Sequence, residues 1–160
     1  MKIKFLATSG IIAALYIAIT LLVAPFGFTE VQFRISEIFN HLVAFNPRFA
    51  VGIIIGVFIS NIFSPNGILD IFFGVGHSII TIGLFILICK FVKNIWARLI
   101  INTLLFTCTM FIIALELNIA LELPFFWTWL TVAAGEFVVL AVGAPIMYVL
   151  NKRLNFKNLI

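Results

Sequence analysis

The chain has 160 residues, of which 64% are hydrophobic and only 10% charged. Soluble domains are roughly half apolar, so this composition indicates a membrane protein. The net charge of +4 does not indicate binding to nucleic acid, because the basic residues stand at the ends of hydrophobic runs rather than on one polar face. We therefore expect an all-α, multi-pass protein of the cell membrane that contacts the lipid bilayer and no nucleic acid.

A chain of this length accommodates at most about six short-looped spans and no soluble domain. It contains no G-x-x-x-x-G-K-[ST] phosphate loop and no H-E-x-x-H motif. Cys89 and Cys108 are isolated in apolar segments without C-x-x-C spacing, which indicates neither a metal site nor a disulfide framework. We expect no cofactor and no metal, and we expect any ATPase, protease or DNA-binding function to come from a partner chain.

The hydrophobic runs divide a single membrane domain, residues 1–160, into six helices. The first run follows two lysines like a signal peptide, but it exceeds the usual apolar region of about 7 to 15 residues, so we expect a retained helix. Pro25, the "NPR" turn and the "SPNG" turn end the first three runs, and the charged "KNIWAR" segment and "ELNIALELP" flank the fifth. The predicted helices are residues 5–24, 35–45, 49–63, 68–91, 99–115 and 125–150.

The basic residues predict the orientation of these helices. With both termini in the cytoplasm, Arg34 is the one basic residue outside, as the positive-inside bias favours. The basic residues then expected inside are Lys2, Lys4, Arg48, Lys90, Lys93, Arg98, Lys152, Arg153 and Lys157. The acidic residues Glu30, Glu37, Asp70, Glu116 and Glu122 fall in or beside the outer loops. A four-span arrangement that merges or omits the second and third helices fits the same charges.

Two ionisable residues fall deep inside predicted spans. Glu136 lies about 16 Å from the outer end of the sixth helix and His77 about 14 Å into the fourth, at a rise of about 1.5 Å per residue. A charge near the bilayer centre costs about 2.5 to 3.5 kcal/mol, so each needs a partner or a function. Glu136 either contacts a ligand on a cavity wall or pairs with His77 or Arg34 to lock the bundle.

The stretch "EVQFRISEIFNHL", residues 30–42, concentrates polar groups directly after the first span. Arg34 and Glu37 are neighbours at i and i+3 on a helix. They either brace each other where a helix begins, with Ser36 as its N-cap, or form a wall of an outward-facing pocket together with Gln32 and Phe33.

Three further residues near the outer side are candidates for the same pocket. Asp70 either complements the positive end of its helix or contacts a ligand. Asn61 either caps the "SPNG" turn or lines the vestibule. Trp127 either anchors the helix at the membrane interface or offers a flat indole face for stacking.

Small residues recur at helical spacing on two helices. Ala13, Ala14 and Ala18 lie in "AALYIA" of the first helix, and Gly52 and Gly56 have G-x-x-x-G spacing in the third. Such faces let helices approach closely. Internal packing is one interpretation for both, and a docking face for another protein is the second.

These motifs resemble the QueT family, which is associated with queuosine precursors and belongs to the substrate-binding (S) components of energy-coupling factor (ECF) transporters. The resemblance covers nearly the whole chain. "AALYIA" is similar to the A-A-x-x-x-A pattern by which S components dock on their coupling subunit, "VQFRISE" is the most distinctive string, and "SNIFSPNGILD" is the second.

The resemblance implies an ECF S-component-like bundle without enzymatic activity that binds a small-molecule substrate. It implies partnership with a coupling subunit, through Ala13, Ala14 and Ala18, and with two ATPase subunits. A 7-deazaguanine is flat, with N–H donors beside a carbonyl, and would need a carboxylate, a donor and an aromatic face. The candidates for binding it are Gln32, Phe33, Arg34, Glu37, Asn61, Asp70, His77, Trp127 and Glu136.

Other functions remain open from the sequence. The chain is alternatively an S component for another flat vitamin, such as riboflavin or thiamin. Two alternatives come from other classes of protein: a membrane scaffold without a transport role, and a small intramembrane enzyme with Glu136 and His77 as an acid–base pair. One His and one Glu are little evidence for such an enzyme.

Overall fold

A computed structural model describes residues 2–27 and 32–160, so Glu30 and Val31 of the polar stretch lie outside the described residues. The expected all-α class is confirmed, because the described residues form helices and no strand. The main helices are α1 (Lys2–Leu22), α2 (Ile35–Phe45), α3 (Phe49–Ile62), α4 (Ile68–Cys89), α5 (Ile95–Leu121) and α6 (Phe125–Leu154).

Four of these helices are long and apolar enough to cross a bilayer. They are α1, α4, α5 and α6, with spans of 20, 22, 27 and 30 residues. The apolar helix α3 has 14 residues, which is about 21 Å at a rise of about 1.5 Å per residue, against a hydrocarbon core of about 30 Å. The protein is therefore a multi-pass membrane bundle with two short apolar helices among its long ones.

Helix α5 differs most from its predicted bounds of 99–115. It begins at Ile95 because Asn94 caps it, with Oδ1 accepting a hydrogen bond from the amide of Ala97 over 3.1 Å. Its two parts, Ile95–Thr109 and Phe111–Leu121, join at Met110, and the helix ends where Glu122 adopts a left-handed conformation, φ 57°. Charged residues near a helix end did not terminate it, so the expected loops on both sides are shorter than predicted.

The glycines of α3 serve internal packing. A methyl group at Gly52 would lie 2.7 Å from the carbonyl oxygen of Ser9, and one at Gly56 would lie 2.7 Å from Cβ of Tyr16. Both positions therefore let α3 approach α1 at backbone distance. This is the packing interpretation of the G-x-x-x-G spacing.

Helix α2 is the central element of the bundle. Its residues Leu42, Val43 and Ala44 are almost completely buried. The ring of His41 contacts two neighbouring helices, with Nε2 2.9 Å from the carbonyl oxygen of Leu140 on α6 and Nδ1 3.2 Å from the Asn102 amide on α5. These contacts place the polar beginning of α2 in the interior, between the long helices.

Candidate functional site

A polar cavity lies in the interior beside the beginning of α2. Its walls come from the segment before α2 and from α2, α4, α5 and α6. The lining residues are Gln32, Arg34, Glu37, Gly74, His77, Ser78, Met110, Ile113 and Glu136. Five of the residues singled out from the sequence therefore meet at one place: Gln32, Arg34, Glu37, His77 and Glu136.

The cavity is almost closed. Its volume of about 10 Å³ is room for about one water molecule. Sites for small organic ligands usually have volumes of about 300 to 1,000 Å³. Any larger ligand therefore has to displace the side chains that now fill the site.

Gln32 is held in an unusual backbone conformation at the cavity wall. Its φ of 53° lies in the left-handed region, which costs a residue with a side chain about 1–2 kcal/mol. The side chain is only 2% exposed, and neither Oε1 nor Nε2 has a hydrogen-bond partner among the described residues. A buried amide without partners costs a further 1–3 kcal/mol or so, so this residue is arranged at the expense of stability.

Glu136 presents a second polar atom without a partner. The residue is 2% exposed, and within residues 2–27 and 32–160 its Oε1 meets no hydrogen-bond donor. Glu37 and Arg34 are its charged neighbours. The cavity thus offers a carboxylate oxygen and both ends of an amide to whatever occupies it.

Glu37 also lines the cavity, but its carboxylate is engaged by the protein. Oε1 accepts a hydrogen bond of 2.5 Å from the Tyr16 hydroxyl, and Oε2 accepts one from the side-chain amide of Asn40. Nearby, the hydroxyls of Thr20 and Ser36 are 2.6 Å apart. Ser36 therefore bonds to α1, whereas the sequence suggested it as an N-cap.

Arg34 is held from three directions. Its guanidinium lies 3.8 Å from Oδ1 of Asp70, donates to Oδ1 of Asn61 over 3.1 Å, and donates through Nε to the carbonyl of Gly27 over 3.3 Å. Asn61 also donates to the backbone carbonyl of Asp70 over 2.9 Å. Asp70 and Asn61 therefore support Arg34 from behind and do not line the cavity themselves.

A π-helical turn, Ile71–Val75, interrupts α4 beside this group. Such turns insert an extra residue into a helix and are frequent at functional sites. Gly74 lies within it, and a methyl group there would collide with the side-chain amide of Asn61. The glycine therefore allows α4 to pass close to the Asn61 and Arg34 side chains.

His77 is tied to α5. Its Nε2 is 2.9 Å from the Thr109 hydroxyl, which also accepts from Thr81 over 2.9 Å, and its ring packs edge-on against Phe106 at 5.5 Å. No hydrogen bond joins His77 to Glu136 in the described part of the chain, although both line the cavity.

Two predicted aromatic residues do not line the cavity. Trp127 is 69% exposed and borders a separate apolar groove on the outside of the bundle. Phe33 is half-buried beside the site. The aromatic group within the cavity wall is instead the His77 ring.

Glu116 is a buried acidic residue that the sequence placed in an outer loop. In the structure it lies within α5, is completely buried, and faces the Asp70 carboxyl group. No donor among the described residues reaches either of its oxygens. The apolar residues that continue beyond it, "LNIAL", were the signal that the helix extends past this position.

The three alanines of α1 face different directions. Ala13 is buried at 5% exposure, whereas Ala14 and Ala18 are exposed on the outer surface of the bundle. A partner approaching α1 from outside would meet Ala14 and Ala18 but not Ala13.

Ionisable residues that meet inside a bundle of membrane-spanning helices commonly mark a substrate or ion pathway, as in membrane transport proteins. The chain belongs to the QueT transporter family, whose model matches residues 6–152. A relative described as "Queuosine precursor transporter QueT", from Lactococcus lactis subsp. cremoris (strain MG1363), is 33% identical over 159 residues, and the match covers 94% of each chain. No solved structure matches this chain significantly.

Proposed function

We propose that this chain is the substrate-binding component of an ECF-type transporter that takes up a queuosine precursor, a 7-deazaguanine. A coupling subunit and two ATPase subunits would be its partners and would supply the energy. The name of the Lactococcus relative supports the substrate class. The observation that carries the proposal is the buried cavity in which Gln32 and Glu136 retain polar atoms that find no partner among the described residues.

The cavity chemistry suits the polar edge of a deazaguanine. That edge has N–H donors next to a carbonyl oxygen, so it needs both an acceptor and a donor. Glu136 Oε1 is the acceptor we assign to the N–H groups, and the Gln32 amide is the donor we assign to the carbonyl. The His77 ring provides an aromatic surface at the wall.

The remaining candidates have supporting roles in this proposal. Asp70 and Asn61 hold the Arg34 guanidinium at the wall, which leaves Arg34 positioned beside the substrate. Glu37 links α1 to α2 through Tyr16. Phe33 and Trp127 lie away from the cavity lining, so we assign them no contact with the substrate in this closed form.

Substrate entry requires this site to open, because about 10 Å³ does not accommodate a purine-sized molecule. Occupation would give partners to the unpaired Gln32 and Glu136 atoms. The binding free energy would then recover part of the cost of burying them.

Direct binding to the purified chain in lipid nanodiscs tests the proposal. The panel contains aminomethyl- and cyano-7-deazaguanine, with guanine, riboflavin and thiamin for comparison. We expect calorimetric binding of a deazaguanine at least about a hundredfold tighter than of riboflavin or thiamin, about 2.7 kcal/mol. The substrate assignment is wrong if riboflavin or thiamin binds more tightly than the deazaguanines, or if none of the compounds binds.

A further inference from the structure

A second cavity lies at the opposite end of the bundle from the "SPNG" turn. It has a volume of about 440 Å³ and is open to the surface. It lies where α4 ends, α5 begins and α6 completes its last turn. Its lining residues are Ala44, Phe45, Lys93, Ile95, Arg98, Asn151, Asn155 and Lys157.

Three cations line this cleft: Lys93, Arg98 and Lys157. No acidic residue is among the described lining residues, and the two remaining polar groups are the carboxamides of Asn151 and Asn155. Like charges around a concave surface repel each other and attract an anion. The cleft therefore has the electrostatic character of an anion site.

Arg98 is fixed in place by the backbone around it. Its Nε and two terminal nitrogens donate to the carbonyl oxygens of Val92, Ala44 and Cys89 at 2.7, 3.1 and 2.9 Å. A guanidinium has five N–H groups, so these three bonds orient it and leave two N–H groups for another acceptor. Little side-chain entropy would be lost when an anion binds.

The beginning of α5 adds to the positive potential. Ile95 is the first residue of this helix and also lines the cleft. The first amides of a helix carry a partial positive charge, which favours an anion nearby.

The cleft borders the ends of three helices that are long enough to span a membrane, and the ends of such helices generally lie near the lipid headgroups. Trp96 packs on Tyr148 with ring centroids 4.5 Å apart, and the Lys152 ammonium lies 4.9 Å from the Tyr148 ring centre. Tryptophan and tyrosine are enriched at the membrane interface.

Hydrogen bonds show that other basic residues share this end. Asn46, two residues before Arg48, donates to the carbonyl of Lys157 over 3.2 Å, and Thr8 donates to the carbonyl of Leu159 over 3.2 Å. The second turn of α1, the α2–α3 turn and the C-terminal segment therefore lie together.

We propose that this cleft binds the phosphate of an anionic phospholipid headgroup, with Lys93, Arg98 and Lys157 around the phosphate and the acyl chains lying along α5 and α6. Basic pockets between spanning helices are suited to such headgroups. This site is separate from the substrate cavity, and its occupation does not depend on the identity of the substrate.

The test compares two charge-matched double variants of the full chain. Lys93→Gln with Lys157→Gln removes two charges from the cleft, and Lys4→Gln with Arg153→Gln removes two from the same end outside it. Binding of phosphatidylglycerol and of phosphatidylcholine to the purified proteins is measured by native mass spectrometry. We expect phosphatidylglycerol affinity to fall about tenfold or more in the cleft variant and to change less than about twofold in the control.

Equal losses in both variants would mean general surface attraction and would overturn the proposal, as would unchanged affinity in the cleft variant. Inorganic phosphate is titrated in parallel at constant ionic strength. If it binds the cleft as tightly as phosphatidylglycerol does, the site is for a free anion and the lipid assignment is wrong. Melting temperatures confirm that both variants are folded, and neither measurement requires a deazaguanine.

Discussion

The hydroxyl of Tyr16 on α1 donates a hydrogen bond of 2.5 Å to Oε1 of Glu37 on α2. Both groups are buried, and the second Glu37 oxygen accepts from Asn40. The carboxylate therefore connects two helices, and each of its oxygens already has a donor from the protein. Glu136 also lines the cavity, but its Oε1 has no hydrogen-bond donor in the described part of the chain.

Replacing Tyr16 with Phe should destabilise the protein by about 1–3 kcal/mol, because the Glu37 carboxylate would remain buried with one partner fewer. Thermal or denaturant unfolding in detergent measures this loss. Tyr148→Phe is the matched control, because the Tyr148 hydroxyl makes no hydrogen bond within the described residues. Equal stability of the two variants would show that the Tyr16 hydrogen bond contributes little.

Replacing Glu136 with Gln should weaken deazaguanine binding about tenfold to a hundredfold, because one acceptor oxygen is replaced by an NH2 donor at nearly constant volume. Calorimetry on the purified variant measures the affinity. Glu122→Gln, at an exposed position, makes the same chemical change outside the cavity and should bind normally. Undiminished affinity in Glu136→Gln would remove this residue from the proposed site.

Replacing Gln32 with Gly should affect stability and binding in different directions. Glycine relieves the left-handed backbone strain and removes a buried amide that no described residue pairs, so the melting temperature should be at least that of the unmodified protein. Substrate affinity should fall at least about tenfold with the loss of the amide. Asn155→Gly relieves a similar backbone conformation, φ 50°, far from the cavity and should leave affinity unchanged. A variant that binds normally would argue that Gln32 has only a structural role.

Replacing Gly56 with Ala should destabilise the α1–α3 contact by about 1–3 kcal/mol, because the new methyl group meets Tyr16 at 2.7 Å. Gly83→Ala provides the comparison. Gly83 is also helical, but a methyl group added there would have no atom of another part of the described structure within 4 Å. That change should be neutral or stabilising by up to about 1 kcal/mol. The difference is measured by thermal unfolding, and comparable stabilities would contradict close packing at Gly56.

Replacing Ala14 or Ala18 with Trp should prevent co-purification with the coupling subunit while deazaguanine binding persists, because both alanines are exposed on α1. Ala141→Trp introduces the same bulk at an exposed position of α6 and should leave the complex intact. The measurement is the amount of coupling subunit recovered with a tagged chain. If all three variants recover it equally, the docking face lies elsewhere.

The sequence predicted where helices form, but it did not predict which side of each helix faces the interior of the bundle. Lipid and protein interior are similarly apolar, so a spanning helix has no polar face that distinguishes its exposed side from its packed side. For this reason Trp127 appeared suited to the cavity but faces the outside, and Ala13 appeared equivalent to Ala14 but is buried. Glu116 was misplaced for a different reason, because its charge suggested the end of a helix that continues to Leu121.

The sequence by itself determined that this is a multi-pass helical membrane protein, that several apolar helices form, and that polar groups from separate helices need partners inside it. Those conclusions follow from residue type and segment length, which do not depend on packing. Only the tertiary structure decided that Glu37 is engaged by Tyr16, while Gln32 and Glu136 line the cavity with polar atoms that no other described residue pairs. The physical reason is that satisfaction of a buried polar group depends on atoms from distant parts of the chain, and their positions are set by how the helices pack.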